Sequence, residues 1–262
     1  MTLIGAGSMG GAMLKGWVAQ GQSRVIDVVE PFPQAWLTDL AATGQIALNP
    51  VPRQVEIVML AVKPQELPAI GAVLVERLAP GGMILSILAG TPIARLRALV
   101  PARAVARAMP NLPAQIGAGI SALFVDSDDL ADWDLAAGLL SPLGAVERLA
   151  DEAMIDVATA ISGSGPGYFF AIAAALAEAG AALGLAPEAA MRLARATLVG
   201  AGALAGARGE TLAALEAQVA SKGGTTAAAL AAMRDGDALP ILMQRAASAA
   251  LARAKALAQA KP

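Results

Sequence analysis

Two short stretches in the C-terminal half combine residue types suited to holding a small anion. One is Ile161–Tyr168, I-S-G-S-G-P-G-Y, and the other is Val219–Thr226, V-A-S-K-G-G-T-T. Each sets glycines beside hydroxyl residues just ahead of a long alanine-rich helical pattern. Glycine lets a ligand approach the backbone closely, and the unpaired N–H groups of a first helical turn attract an anion such as a carboxylate. A third glycine-rich stretch opens the chain, M-T-L-I-G-A-G-S-M-G over residues 1–10. Two carboxylate-type loops with one nucleotide-type loop suggest an enzyme with two substrates.

In the opening stretch Gly5, Gly7 and Gly10 fit G-x-G-x-x-G, with Ser8 and Met9 inside the spacing. The first glycine makes the turn, the second admits a pyrophosphate, and the third lets helix and strand pack closely. The context matches: a short strand pattern before, a helical pattern after, and a second strand ending at Glu30. A carboxylate at that distance meets the ribose hydroxyls of an adenosine. Other candidate cofactor contacts follow later strands, because open α/β sheets bind ligands at the carboxyl ends of their strands. They are Ala61, Val62, Lys63 and Pro64, then Ala89 in S-I-L-A-G, then Asn111 in R-A-M-P-N. Without a ligand, Lys63 is a surface lysine before a helix-starting proline and Asn111 caps a turn.

Composition removes several chemistries. The chain has 262 residues, no cysteine and no histidine. Disulfides, thiol catalysis, serine–histidine triads and histidine-based metal sites are therefore excluded. Its 19 basic and 21 acidic residues are mixed along the chain, which argues against nucleic acid as a partner. No secretory signal precedes the first strand pattern, so a cytoplasmic location is expected. The charge-free run Val157–Ala177 has the length of a membrane span, but S-G-S-G-P-G interrupts it and its second half is largely alanine, so no membrane partner is expected.

The elements that must position these residues fall into two expected domains, 1–150 and 151–262. In the first, strand patterns at Thr2–Ala6, Arg24–Glu30, Glu56–Val62, Gly82–Leu88, Ala104–Met109, Gly119–Val125 and Ala145–Leu149 alternate with helical ones. The helical patterns are Met9–Ala19, Pro33–Ala42, Pro68–Leu78 and Leu130–Leu140. Near-continuous apolar strands predict a parallel, doubly wound sheet covered on both faces, with the last two strands as a differently connected edge. After Asp151 strand signals stop, and helical periodicity broken at Ser162–Pro166, Gly184–Pro187, Gly206–Gly209, Lys222–Gly224 and Asp235–Pro240 predicts about five helices. Hydrophobic residues make up 56% and aromatics 3%, so that helical domain is rich in small side chains and needs a partner subunit to complete its core.

With these anchors in place the chain resembles the pyrroline-5-carboxylate reductases nearly end to end. The likeness rests on G-A-G-S-M-G (5–10), A-V-K-P (61–64), S-I-L-A-G (86–90), R-A-M-P-N-L-P-A (107–114), G-S-G-P-G-Y (163–168), L-G-L-A-P-E-A-A (183–190) and S-K-G-G-T-T (221–226). The glycine fingerprint is shared by many dehydrogenases; the ordered later motifs are specific. The resemblance implies a Rossmann domain, an all-α dimerisation domain, and reduction of a cyclic imine to L-proline with NADH or NADPH. It also implies a homodimer or a larger ring of dimers, and an active site drawn partly from the neighbouring subunit.

Hydride transfer to a C=N carbon asks the protein to hold two rings together and manage one proton. N–H groups at Gly223, Gly224 and Thr225 then suit the substrate carboxylate, with Ser221 in the same loop. Thr226 matches the threonine that hydrogen-bonds the ring nitrogen in the family. A threonine hydroxyl is too weak an acid to supply the proton itself, so a protonated imine or a water relay is expected. Without a ligand, Ser221 and Thr225–Thr226 cap a helix, and packing is the favoured role for the glycines of Ser162–Tyr168.

Three positions depart from the family's pattern: Leu112 stands for a threonine, Lys222 for a proline, and Glu30 for a small polar residue suited to a 2′-phosphate. Glu30 leaves cofactor preference open. The remaining alternatives are a reductase of another cyclic imine, a β-hydroxyacid dehydrogenase, and a non-catalytic nucleotide-binding protein of the same fold. The dehydrogenase is disfavoured because no lysine falls between Lys63 and Lys222.

Overall fold

The computed structural model describes residues 1–21 and 26–259. Two compact units emerge, one made of Met1–Ser164 with the segment that begins at Ala250, the other of Gly165–Ala249.

The first unit alternates strands β1 (Thr2–Ile4), β2 (Ile26–Val29), β3 (Ile46–Leu48), β4 (Val55–Leu60), β5 (Leu78–Ser86), β6 (Ala104–Met109), β7 (Gly119–Val125) and β8 (Gly144–Arg148) with helices. Its helices are α1 (Ser8–Ala19), α2 (Ala35–Ala42), α3 (Leu67–Arg77), α4 (Ile93–Arg97), α5 (Leu130–Leu140) and α6 (Met154–Ala158). Arg24 and Val25, which open the second expected strand, lie outside the described residues. The strands form one sheet in the order β3-β2-β1-β4-β5-β6-β7-β8. All neighbours pair in parallel except β6 and β7. Consequently β7 and β8 run against the rest and form the differently connected edge.

Side chains alternate between two buried layers, as the pleat requires. Leu3, Met59 and Leu85 face Met13, Leu14 and Trp17 of α1, Leu37 of α2 and Leu139 of α5. Ile4, Val58 and Ile84 face Leu67 and Leu74 of α3 and Ile93 and Leu96 of α4. Each buried side chain of this size contributes about 1.5–3 kcal/mol. The Trp17 indole N–H donates to the Leu139 carbonyl at 2.8 Å, so the largest core side chain also satisfies its one polar atom. The order of strands reverses between β1 and β4, and the glycine turn lies at that switch point.

After α6 the helix does not break at Ser162–Pro166. It passes through a π-helical turn at Thr159–Gly163 and continues as α7 (Gly165–Ala182). Pro166 sits in the first turn of α7, where its missing N–H leaves no hydrogen bond unmade. The second unit continues with α8 (Pro187–Ala207), α9 (Leu212–Val219), α10 (Thr225–Arg234) and α11 (Ala238–Gln259), the last entering the first unit from Ala250 onward. Its buried cluster consists of Ala177, Ala190 and Ala194, whereas Phe169, Phe170, Leu176, Leu193 and Val199 are each more than half exposed. Met154–Ala182 is, among the described residues, the one helical run long and apolar enough to cross a membrane by length and composition, and only 17% of its apolar window is buried.

Candidate active site

The glycine turn is built from steric necessity. Gly5 has φ +91°, and a Cβ there would lie 2.7 Å from the Ala61 carbonyl oxygen and 2.8 Å from Val62. A Cβ at Gly10 would collide with the Gly5 carbonyl oxygen. The ends of β1 and β4 and the start of α1 are therefore pressed together, as the third glycine requires. At Gly7 a Cβ would meet no protein atom within 4 Å. Gly7 is the N-cap of α1 and no side chain caps this helix. Open space in front of an uncapped first turn, at Ser8, Met9 and Gly10, fits a pyrophosphate.

Glu30 follows β2 directly. Its Oε2 accepts from the Ala6 N–H at 2.9 Å and its Oε1 from the Phe32 N–H at 3.1 Å. Its own backbone is bracketed by Asn49, whose Oδ1 accepts from the Glu30 N–H at 2.8 Å and whose Nδ2 donates to the Glu30 carbonyl at 2.9 Å. Asn49 was not legible as a site residue. Its signal is a residue tolerant of the left-handed region, here at φ +47°, just after a three-residue strand that itself left no clear pattern.

The other strand-end residues divide by role. Ala61 and Val62 touch the turn. Lys63 is exposed, and its N–H donates to Glu66 Oε2 at 3.0 Å in a 3-10 turn over Pro64–Glu66. Ala89 lies in the loop after β5. Asn111 is buried, and both ends of its amide are used: Oδ1 accepts from the Ile120 N–H at 3.0 Å, and Nδ2 donates to the Ser162 carbonyl at 3.2 Å. Alongside it, a Cβ at Gly163 would approach Met109 Cε to 3.2 Å. The π-helical turn thus lies against the carboxyl end of β6. Beside α1 an open groove of about 320 Å³ is lined by Gly7, Ser8, Gly11, Lys15, Gln34 and Trp36, with the Lys15 ammonium 4.5 Å from the Trp36 ring centre.

Ser221–Thr226 lie in the second unit. Gly223 has φ +73°, and Gly224 is the N-cap of α10 with no side-chain cap. A Cβ at Gly224 would strike the Ser221 hydroxyl oxygen. The neighbouring α9 is capped by Thr211, whose Oγ1 accepts from the Ala214 N–H at 3.2 Å. The first turn of α10 has no such partner, so its N–H groups, with the half-buried Thr226 in its second position, remain open to an anion. Ser221, Thr225 and Thr226 do not act as helix caps.

An open sheet with this turn at its switch point defines a Rossmann-type dinucleotide-binding oxidoreductase. Residues 1–90 match a family model described as NADP oxidoreductase coenzyme F420-dependent, and residues 152–257 match pyrroline-5-carboxylate reductase dimerisation. A pyrroline-5-carboxylate reductase of Pseudomonas aeruginosa is 37% identical over 99% of this chain and 97% of its own length. One from Mycobacterium leprae is 34% identical over 98% and 96%. The solved structure of a pyrroline-5-carboxylate reductase from Coxiella burnetii superposes with a TM-score of 0.88 at 30% identity, covering 99% of this chain and 98% of that one. The chain belongs to the pyrroline-5-carboxylate reductase family.

Proposed function

We propose that this chain reduces 1-pyrroline-5-carboxylate to L-proline. The bound nicotinamide dinucleotide supplies a hydride to the imine carbon. Gly5, Gly7, Ser8, Met9 and Gly10 hold its pyrophosphate, Glu30 its adenosine ribose, and Ala61–Pro64, Ala89 and the Asn111 backbone line the remainder. Ser221 and the N–H groups of Gly223 and Thr225 hold the substrate carboxylate, and the Thr226 hydroxyl bonds the ring nitrogen; the Gly224 N–H, expected to join them, instead donates to the Ser221 carbonyl at 2.9 Å and closes the turn. The nitrogen's proton arrives with a protonated imine or through water, because the Thr226 hydroxyl is too weak an acid to donate it.

The observation that carries this reading is the uncapped first turn of α10, behind a loop whose two glycines leave the backbone accessible. The family match across the chain supports the same reading, and it supports a division into a dinucleotide part, 1–150, and a dimerisation and substrate part, 151–262. A cytoplasmic homodimer, or a ring of such dimers, with no membrane or nucleic-acid partner belongs to the reading. The test is loss of reduced-nicotinamide absorbance on adding pyrroline-5-carboxylate, with product identified as L-proline. No turnover, or equal turnover of unrelated cyclic imines lacking the carboxylate, overturns it.

A further inference from the structure

The loop after β5 is held at three points. At its start, Ser86 Oγ accepts from the Leu88 N–H at 3.3 Å. At its end, the Ile93 N–H donates to Glu152 Oε1 at 2.8 Å, and the same oxygen takes the Arg107 guanidinium of β6 at 2.6 Å. Its middle rests on the far end of the chain. Gly90 has φ +64°, and a Cβ there would stand 3.1 Å from the backbone nitrogen of Ala258 and 3.2 Å from Leu257 Cβ. Those residues form the last turn of α11. One turn earlier Ala254 is buried while Lys255 and Ala256 are exposed. Leu251, Ala254 and Ala258 repeat at the spacing of one helix face, so the end of α11 is packed by a stripe.

β5 lies across the switch point from β2, where Glu30 takes the adenosine side. Its loop therefore faces the nicotinamide half of a dinucleotide. We propose that the terminal turn of α11, through Leu257 and Ala258, is a positioning element for that half, fixing the backbone of Ala89 and Gly90 before the cofactor arrives. A loop already ordered costs less to bind against than one ordered on binding. This inference rests on the dinucleotide reading of the first unit and not on the identity of the imine.

Two variants test it, a chain ending at Ala256 and the full chain with Leu257→Gly, which removes the side chain that Gly90 approaches and leaves the loop's own backbone unstrained. Calorimetry measures NADH, and separately 5′-AMP, which occupies the adenosine half alone. Both variants should bind NADH roughly tenfold more weakly, keep the 5′-AMP affinity of the wild type, and remain folded dimers. Unchanged NADH affinity in a folded variant overturns the proposal. So does a parallel loss of NADH and 5′-AMP, which marks general damage to the unit. If shortening prevents folding, Leu257→Gly decides alone. Wild-type protein that binds NADH but does not reduce pyrroline-5-carboxylate removes the substrate reading and leaves this inference standing.

Discussion

The Glu30 carboxylate closes over the glycine turn by accepting the Ala6 N–H at 2.9 Å. With the Phe32 N–H on its other oxygen, the charge is held in place at the end of β2. A fixed carboxylate accepts from ribose hydroxyls and repels a 2′-phosphate. NADH should therefore serve at least as well as NADPH, and Glu30→Ser should shift the ratio of kcat/KM toward NADPH by about tenfold. Steady-state rates with both cofactors check this. A wild type that strongly prefers NADPH, or a ratio unmoved by the substitution, refutes it.

Asn111 ties two segments together and has no amide atom left over. Asn111→Ala should lower stability by about 1–3 kcal/mol, because it strands the Ile120 N–H and the Ser162 carbonyl. Asn111→Asp keeps the acceptor but sets a carboxylate against the Ser162 carbonyl, and should be no better. Denaturant melts measure the effect. Undiminished stability with weakened NADH binding would instead assign the side chain to the cofactor.

Thr226→Val is nearly isosteric and removes only the hydroxyl. Losing a hydrogen bond to a charged or charge-developing nitrogen costs about 1.5–3 kcal/mol, or roughly 10- to 150-fold in kcat/KM. NADH affinity should hold. The melting temperature should hold too, since no side chain caps α10. Thr226→Ser should retain much of the activity. A folded Thr226→Val protein with wild-type kcat/KM removes this residue from the mechanism.

The second unit buries three alanines as its core and exposes a groove of about 500 Å³ between α7 and α8, lined by Phe170, Met191, Leu198 and Val199. A unit this poor in buried area gains its stability from association. The melting temperature should rise with protein concentration, and Phe170→Asp should shift the mass in light scattering toward the monomer with loss of activity. An active, stable monomer at nanomolar dilution contradicts the expectation.

The alternating part of the fold was legible where periodicity was strong. β6, β7 and α5 have the expected bounds, and close spacing marks the last two strands as a differently connected edge, although not the antiparallel β6–β7 pairing that makes it so. β3 was not, because I-A-L is three residues long and gives no alternation to read. α4 was hidden by its five-residue length. The supposed break at Ser162–Pro166 was inferred from glycine and proline, yet proline is tolerated in a first helical turn and a π-helical turn absorbs the offset. At the site, sequence marked the glycines and Glu30 through local spacing. Asn49, Glu152 and the approach of Leu257 to Gly90 come from distant parts of the chain, and one sequence alone carries no signal for such pairs.

The first unit is discontinuous: the whole of Gly165–Ala249 is inserted between its main body and its final helical segment. During synthesis the sheet leaves the ribosome before the residues that complete its unit, with all of Gly165–Ala249 made in between. N-terminal-first folding therefore produces a sheet with its closing piece still missing until Gly165–Ala249 has been made. A nascent chain stalled after Ser164 should be more open to proteolysis around Gly90 than the finished protein.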